Sequence, residues 1–176
     1  MVHIIFEAHC TTLDNEANRA SGWVDVDLSE LGQKQALELR DRYKDSTLDA
    51  IFTSDLQRAV KSGLPTAETL KVPLYIDSRL RECSYGELDG ADKHTINDQK
   101  SDRVGISFPG GESYEDCAKR MGDFLDYLKE NFDGKTVMII GHRATQYGLE
   151  HHINKKSLAQ CVTEPWSWQP GWKYQL

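Results

Sequence analysis

The sequence has no CxxC pair, no internal repeat, no low-complexity tract and no apolar run long enough to cross a membrane. Its four cysteines, Cys10, Cys83, Cys117 and Cys161, are widely spaced. That spacing argues against a disulfide frame or a zinc cluster and fits free thiols in a reducing compartment. No signal-peptide pattern stands at the start, so the expectation is a cytoplasmic chain with no membrane partner. Positive charge is scarce too, with 21 Lys and Arg against 28 Asp and Glu and a net charge of −7. Wholesale binding to nucleic acid is thereby disfavoured. An anionic ligand would need a local group of cations.

What is present describes an ordinary globule. At 176 residues, 39% hydrophobic and 28% charged, the chain is long enough to bury a full core as one domain spanning 1–176. Residues 3 to 29 organise the rest. Ile4, Ile5 and Phe6 make a short buried strand that delivers His9 into a loop of small and polar residues, including Cys10, Thr11, Thr12 and Asn15. Ligands in open α/β sheets bind beyond the carboxyl ends of such strands.

Further strands are expected at 48–54, 72–77 and 135–141, with Pro73 confined to a strand start or an edge. Ser29 caps an expected helix carrying Ala36, Leu39 and Tyr43. The segment from Asp55 to Leu70 begins as a helix, which Gly63 and Pro65 should bend or interrupt. Residues 79–111 are rich in turn formers and read as an excursion above the sheet with room for one short helix. Ser113 and Asp116 have capping-box spacing, and Cys117, Met121, Phe124, Leu125, Leu128 and Phe132 follow as an apolar helical stripe. The tail offers a possible strand near "AQCVT", a final "GWKYQL", and three tryptophans read as cover for a sheet edge. Strands alternating with helices predict an α/β fold: a three-layer α/β/α sandwich on a mostly parallel sheet. The 79–111 excursion would lie over the C-terminal edge of its strands.

His142 repeats the placement of His9, at a strand end and directly before a helix whose amino terminus favours an anion. Arg58 and Glu82 lie just past two other strand exits. Five segments in order then resemble the histidine phosphatase superfamily, the phosphoglycerate-mutase-like fold. They are "AHCTTLDNEANRASGW", Ser54 to Ala59, Leu80 to Gly86, Pro109 to Ser113 and "VMIIGHR". The resemblance implies a metal-independent phosphatase with no cofactor, acting on a small phosphorylated substrate or a phosphoprotein. His9 would be the nucleophile that becomes phosphohistidine. Arg58 and His142 would hold the phosphoryl oxygens, Glu82 would be the acid and then the base, and Asn15 would line the pocket.

The family's arginine before the nucleophile is Ala8 here, and its following glycine is Cys10. The glycine after the second histidine is Arg143, a substrate-binding candidate that could take the vacated phosphate contact. Glu7 shares strand parity with His9; it would either orient that ring or pair with an arginine. Two rival readings remain. One is a catalytically degenerate module that binds a phosphorylated ligand, and the other is a mutase-type phosphotransferase. No residue names the substrate or an oligomeric state.

Overall fold

The computed structural model describes residues 1–176. Five strands form the central sheet: β1 (His3–Ala8), β3 (Ala50–Thr53), β4 (Leu74–Ile76), β6 (Thr136–Gly141) and β7 (Trp172–Gln175), in the order β4-β3-β6-β1-β7. All neighbours are parallel except β7, which runs antiparallel to β1. β1 and β6 lie side by side with Ala8 opposite Gly141, so His9 and His142 leave the sheet at the same level.

Alternate residues of these strands face opposite layers. On one face Ile4, Phe6, Val137 and Ile139 pack with Met121, Phe124, Leu125 and Leu128 of α5 (Tyr114–Asn131) and Leu149 of α6 (Arg143–His152). On the other, Ile5, Ile51, Met138 and Ile140 meet Leu39 of α2 (Glu30–Tyr43) and Ala67 of α3 (Gln57–Leu70). Helices therefore cover both faces, in the three-layer arrangement the alternation predicts. Ser29 caps α2 through the Gly32 N–H, and Ser113 and Asp116 form their reciprocal box at the start of α5. Pro73 immediately precedes the edge strand β4, where no ladder donor is lost.

Two expectations need correction. The first concerns α3, which runs unbroken through Gly63 and Pro65. Gly63 faces the sheet, where an added Cβ would lie 2.9 Å from Ile140 Cδ1, so it serves close packing rather than a break. Pro65 deprives only the carbonyl of Lys61, a residue exposed to water. The second concerns "AQCVT", which is not a strand but lies in α7 (Leu158–Thr163). Ser157 and Gln160 form a capping box there, and Leu158, Cys161 and Val162 are buried at helical spacing.

The excursion contains the expected short helix, α4 (Lys93–Asn97). A two-residue strand β5 (Ala91–Asp92) precedes it and pairs with β2 (Arg19–Ala20), pinning the excursion to the first loop. Ile96 and Phe108 bury with Tyr85, Tyr114 and Tyr147, giving the excursion an apolar core of its own. No helix is long and apolar enough to cross a membrane.

Gly63→Val should destabilise the protein by about 1–3 kcal/mol through overpacking, whereas Pro65→Ala should cost nothing. Urea denaturation of both variants checks this.

Candidate active site

A cavity of about 750 Å³ opens over the carboxyl ends of β1 and β6. It is lined by all six candidates from the sequence: His9, Asn15, Arg58, Glu82, His142 and Arg143. The two imidazoles face one another with ring centroids 5.0 Å apart.

His9 Nδ1 lies 2.7 Å from the Cys10 carbonyl. A carbonyl only accepts, so Nδ1 carries the proton and Nε2 keeps its lone pair. Burial, and secondarily the charge of Arg58, press the His9 pKa down to about 3. The ring is thus neutral at physiological pH. Cys10 is held by its own N–H, which donates to Ser62 Oγ at 2.8 Å.

His142 is 2% exposed and its pKa is lowered, chiefly by burial and then by Arg58. Its Nε2 meets Ser54 Oγ at 2.7 Å, while Nδ1 is buried with no partner. Ser54 opens the motif that ends at Ala59, and its hydroxyl is what orients this ring. Arg58, 2% exposed, donates to the carbonyls of Val24 at 2.9 Å and Gly22 at 2.7 Å. Both partners are neutral, so the charge of this buried guanidinium remains available to a ligand. Burial is also the main influence lowering its pKa.

Glu82 changes the picture of the α6 amino terminus. Its Oε1 accepts from the N–H groups of Cys83 (2.8 Å) and Ala144 (3.0 Å), and its Oε2 from that of Arg143 (3.1 Å). The anion that this helix start receives is therefore Glu82 itself. Behind it stands Arg120, which the sequence reading missed. Its guanidinium donates to the carbonyls of Arg79, Arg81 and Glu82 at 2.7, 2.8 and 2.9 Å, and to Glu112 Oε1 at 2.9 Å. Glu112 also accepts the Ser84 N–H at 2.9 Å. At Gly111 an added Cβ would lie 2.3 Å from the Ser84 carbonyl oxygen. The segment from Pro109 to Ser113 thus clamps the loop that carries Glu82. The available signal was one arginine set inside an apolar helical stripe.

Cys83, Glu112 and Cys117 bring possible ligand atoms within 4.8 Å of one another. Arg120 already donates to Glu112 and to Cys117 Sγ (3.4 Å), so a guanidinium occupies the place a metal would need. All four cysteines are free thiols.

Three further side chains resolve as follows. Glu7 turns to the α2 face, accepting from Arg42 Nη1 at 3.0 Å and Tyr43 Oη at 2.7 Å, so it pairs with an arginine and leaves His9 alone. Asn15 Oδ1 accepts the Thr12 N–H at 3.1 Å, which fixes the amide at the cavity wall. The Arg143 guanidinium donates to Gln146 Oε1 at 2.6 Å and stacks on Tyr147 and Trp166. The cations whose charge acts on His9 are Arg58 and Lys93. Lys93, at the start of α4, was not singled out from sequence. The reading of the three tryptophans as cover for the sheet edge holds only for Trp172, against Phe6; Trp166 and Trp168 are 43% and 54% exposed and line the cavity.

Residues 4–164 match the family model of the histidine phosphatase superfamily, branch 1. The chain belongs to this superfamily. A metal-independent phosphoserine phosphatase of Arabidopsis thaliana is 29% identical, covering 90% of this chain and 71% of that protein. The 2,3-bisphosphoglycerate-dependent phosphoglycerate mutase 1 of Gloeobacter violaceus is 30% identical, covering 81% of this chain and 79% of its own length. A mycobacterial glucosyl-3-phosphoglycerate phosphatase solved with VO3 shares the fold, with a TM-score of 0.81 at 23% identity over 93% of this chain and 85% of that one. Family and relatives together support an enzyme of the histidine-phosphatase type.

Two outcomes follow from the site's electrostatics. An unfolded histidine binds its proton near pH 6.5, while folded His9 does not until about pH 3. Between those values the unfolded chain holds more protons, so stability must fall as pH drops, by up to about 1.4 kcal/mol per pH unit for each such histidine. Urea midpoints from pH 7 to pH 4 should decline less steeply in His9→Gln than in the parent. Arg120→Met leaves the half-buried Glu112 without its ion pair and removes the donor to three loop carbonyls, and should cost about 1.5–3 kcal/mol in the same assay.

Proposed function

We propose that this chain is a metal-independent phosphatase that hydrolyses a phosphate monoester through a phosphohistidine on His9. The observation that carries the reading is the His9 tautomer. With Nδ1–H donated to the Cys10 carbonyl and the ring neutral, Nε2 has a lone pair ready for phosphorus and no proton to lose first.

Nε2 attacks the phosphorus, the P–O bond to the leaving group breaks, and Glu82, at rest the carboxylate that three N–H groups hold, passes a proton from the ester's phosphate monoanion to the departing oxygen. The carboxylate then takes a proton from water, whose oxygen attacks phosphorus. The N–P bond then breaks, returning its electron pair to His9 and releasing inorganic phosphate. Arg58, Lys93 and the Nδ1–H of His142 would hold the non-bridging oxygens. That role for His142 agrees with Ser54 donating to its Nε2 and with the unpartnered Nδ1. Lys93 would supply the charge missing at Ala8. The work falls to it rather than to Arg143, whose guanidinium is engaged along α6.

Ala8 favours the second reading, a phosphate-ligand module without turnover. The mutase relative raises a third, phosphoryl transfer between substrates.

Incubation with p-nitrophenyl phosphate and acid-labile phosphoprotein trapping separate these readings. Parent protein should release nitrophenol and carry one labile phosphate, absent from His9→Ala. Arg58→Ala and His142→Ala should each lose about 10²–10³-fold in kcat, Lys93→Ala should lose about tenfold or more, and the remote Lys129→Ala should match the parent. No turnover and no labile phosphate from any ester would favour the binding module. Phosphate passed to a second substrate faster than to water would favour the mutase.

A further inference from the structure

Arg58 and Glu82, one placed for the phosphate and the other for the proton, share no hydrogen bond with each other. Between them runs a strap of chain beyond β2, Gly22 to Asp25, to which the reaction above gives no part. Arg58 straddles residue 23 of this strap. Its Nη2 donates to the Gly22 carbonyl at 2.7 Å and its Nη1 to the Val24 carbonyl at 2.9 Å. The side chain between those carbonyls reaches the other way: Trp23 Nε1 donates to the Glu82 carbonyl at 2.8 Å. One turn of backbone thus grips the cation with its carbonyls and the carboxyl-bearing loop with its indole.

The strap is itself fixed. Gly22 has a φ of +53°, and an added Cβ would collide with the Asp89 carboxylate, so this turn admits no side chain. Asp25 accepts the Gln57 backbone N–H at 2.8 Å, and its carbonyl accepts the Gln57 amide at 2.7 Å, pinning the strap to the start of α3 beside Arg58. Over the indole lies the Arg81 guanidinium, 4.4 Å from the ring centre and gripped by Asp55 at 2.6 and 2.7 Å. Asp55 comes from the segment of Arg58 and Arg81 from that of Glu82, so both segments meet on this ring. Trp23 is nevertheless 39% exposed, which leaves it little value as core packing. The Glu82 carbonyl accepts from Arg120 on its other side at 2.9 Å, so both of its lone pairs are used.

We propose that Trp23 is a positioning residue: its indole N–H fixes the Glu82 peptide against the strap that Arg58 grips, so that proton and phosphate are handled at a set separation. It acts on delivery of the proton to the leaving oxygen, not on phosphate binding. The inference rests on the phosphatase reading of Glu82, but one of its two tests needs no turnover.

The first test is kinetic. Trp23→Phe keeps a ring under Arg81 and removes the donor. An alkoxide departs only with a proton, whereas nitrophenolate departs without one. In this variant kcat/KM, which covers the steps up to expulsion of the alcohol, should fall about tenfold or more with propyl phosphate. With p-nitrophenyl phosphate it should stay within about twofold of the parent. Inhibition by inorganic phosphate should be unchanged, because Arg58 keeps both of its carbonyls. 3-Benzothienylalanine at position 23, with sulfur in place of the N–H, keeps the shape of the indole and should show the same selective loss if Trp23→Phe does not fold. Equal losses on the two esters, or no loss on either, overturn the positioning role.

The second test is exchange of the indole proton with solvent, read by NMR. The Trp23 indole N–H, identified by the cross-peak missing from Trp23→Phe, should exchange about tenfold or more faster in Arg58→Ala than in the parent. The Trp166 indole N–H, bound to Gln146 instead, should keep its rate. An unchanged Trp23 rate overturns the link between Arg58 and Glu82 even if every ester is hydrolysed. Faster exchange in a chain that hydrolyses no ester keeps the link and overturns the phosphatase reading alone.

Discussion

The site depends on one carboxylate bridging two parts of the chain. Glu82 accepts N–H groups from its own loop and from the first turn of α6, within 2.8–3.1 Å. This joins the segment after β4 to the segment after β6 across the top of the sheet. Through it, the proposed proton donor and His142 keep a fixed separation. Arg120 and Glu112 hold the same loop from behind, so α5 and the segment from Pro109 to Ser113 are part of the active-site scaffold. Buried charges of this kind are costly unless every lone pair and proton is used. Here nearly all are, and the result is a rigid mount rather than a net gain in stability.

The fold was legible because its signals were local and redundant. Short apolar runs gave the strands, Ser29 and Ser113 gave helix starts, and the apolar stripe of α5 gave the face that meets the sheet. The misreadings arose where a residue's meaning depends on its partner. Gly63 looks like a breaker in one dimension, yet in three it is the flat place where α3 meets Ile140. Pro65 is tolerated because the carbonyl it deprives belongs to an exposed turn of helix, which no propensity rule states. In "AQCVT" the apolar spacing suits either period, and the Ser157–Gln160 box was the deciding mark.

Among site residues, those in strand-exit motifs were found and those acting from elsewhere were not. Lys93 looks like an ordinary surface cation in sequence, and Arg120 is marked only by its place inside an apolar helical stripe. Their importance comes from contacts between segments that lie tens of residues apart. Charge lost at Ala8 was sought at the neighbouring loop position, Arg143. Yet the first turn of α6 directs that guanidinium along the helix toward Gln146 and Trp166, so proximity in the motif did not become proximity to the nucleophile.

The tail has a structural role that reaches beyond its length. β7 completes the sheet beside β1, and the residues just before it carry Trp166 and Trp168 to the rim of the cavity, with Trp166 stacked on Trp172 at 6.1 Å. An edge strand is among the first elements to detach in native-state breathing. The indoles are held from the other side as well, Trp166 by Gln146 Oε1 at 3.0 Å and Trp168 by the Arg42 guanidinium, so the rim of the entrance joins a sheet border to α6 and α2.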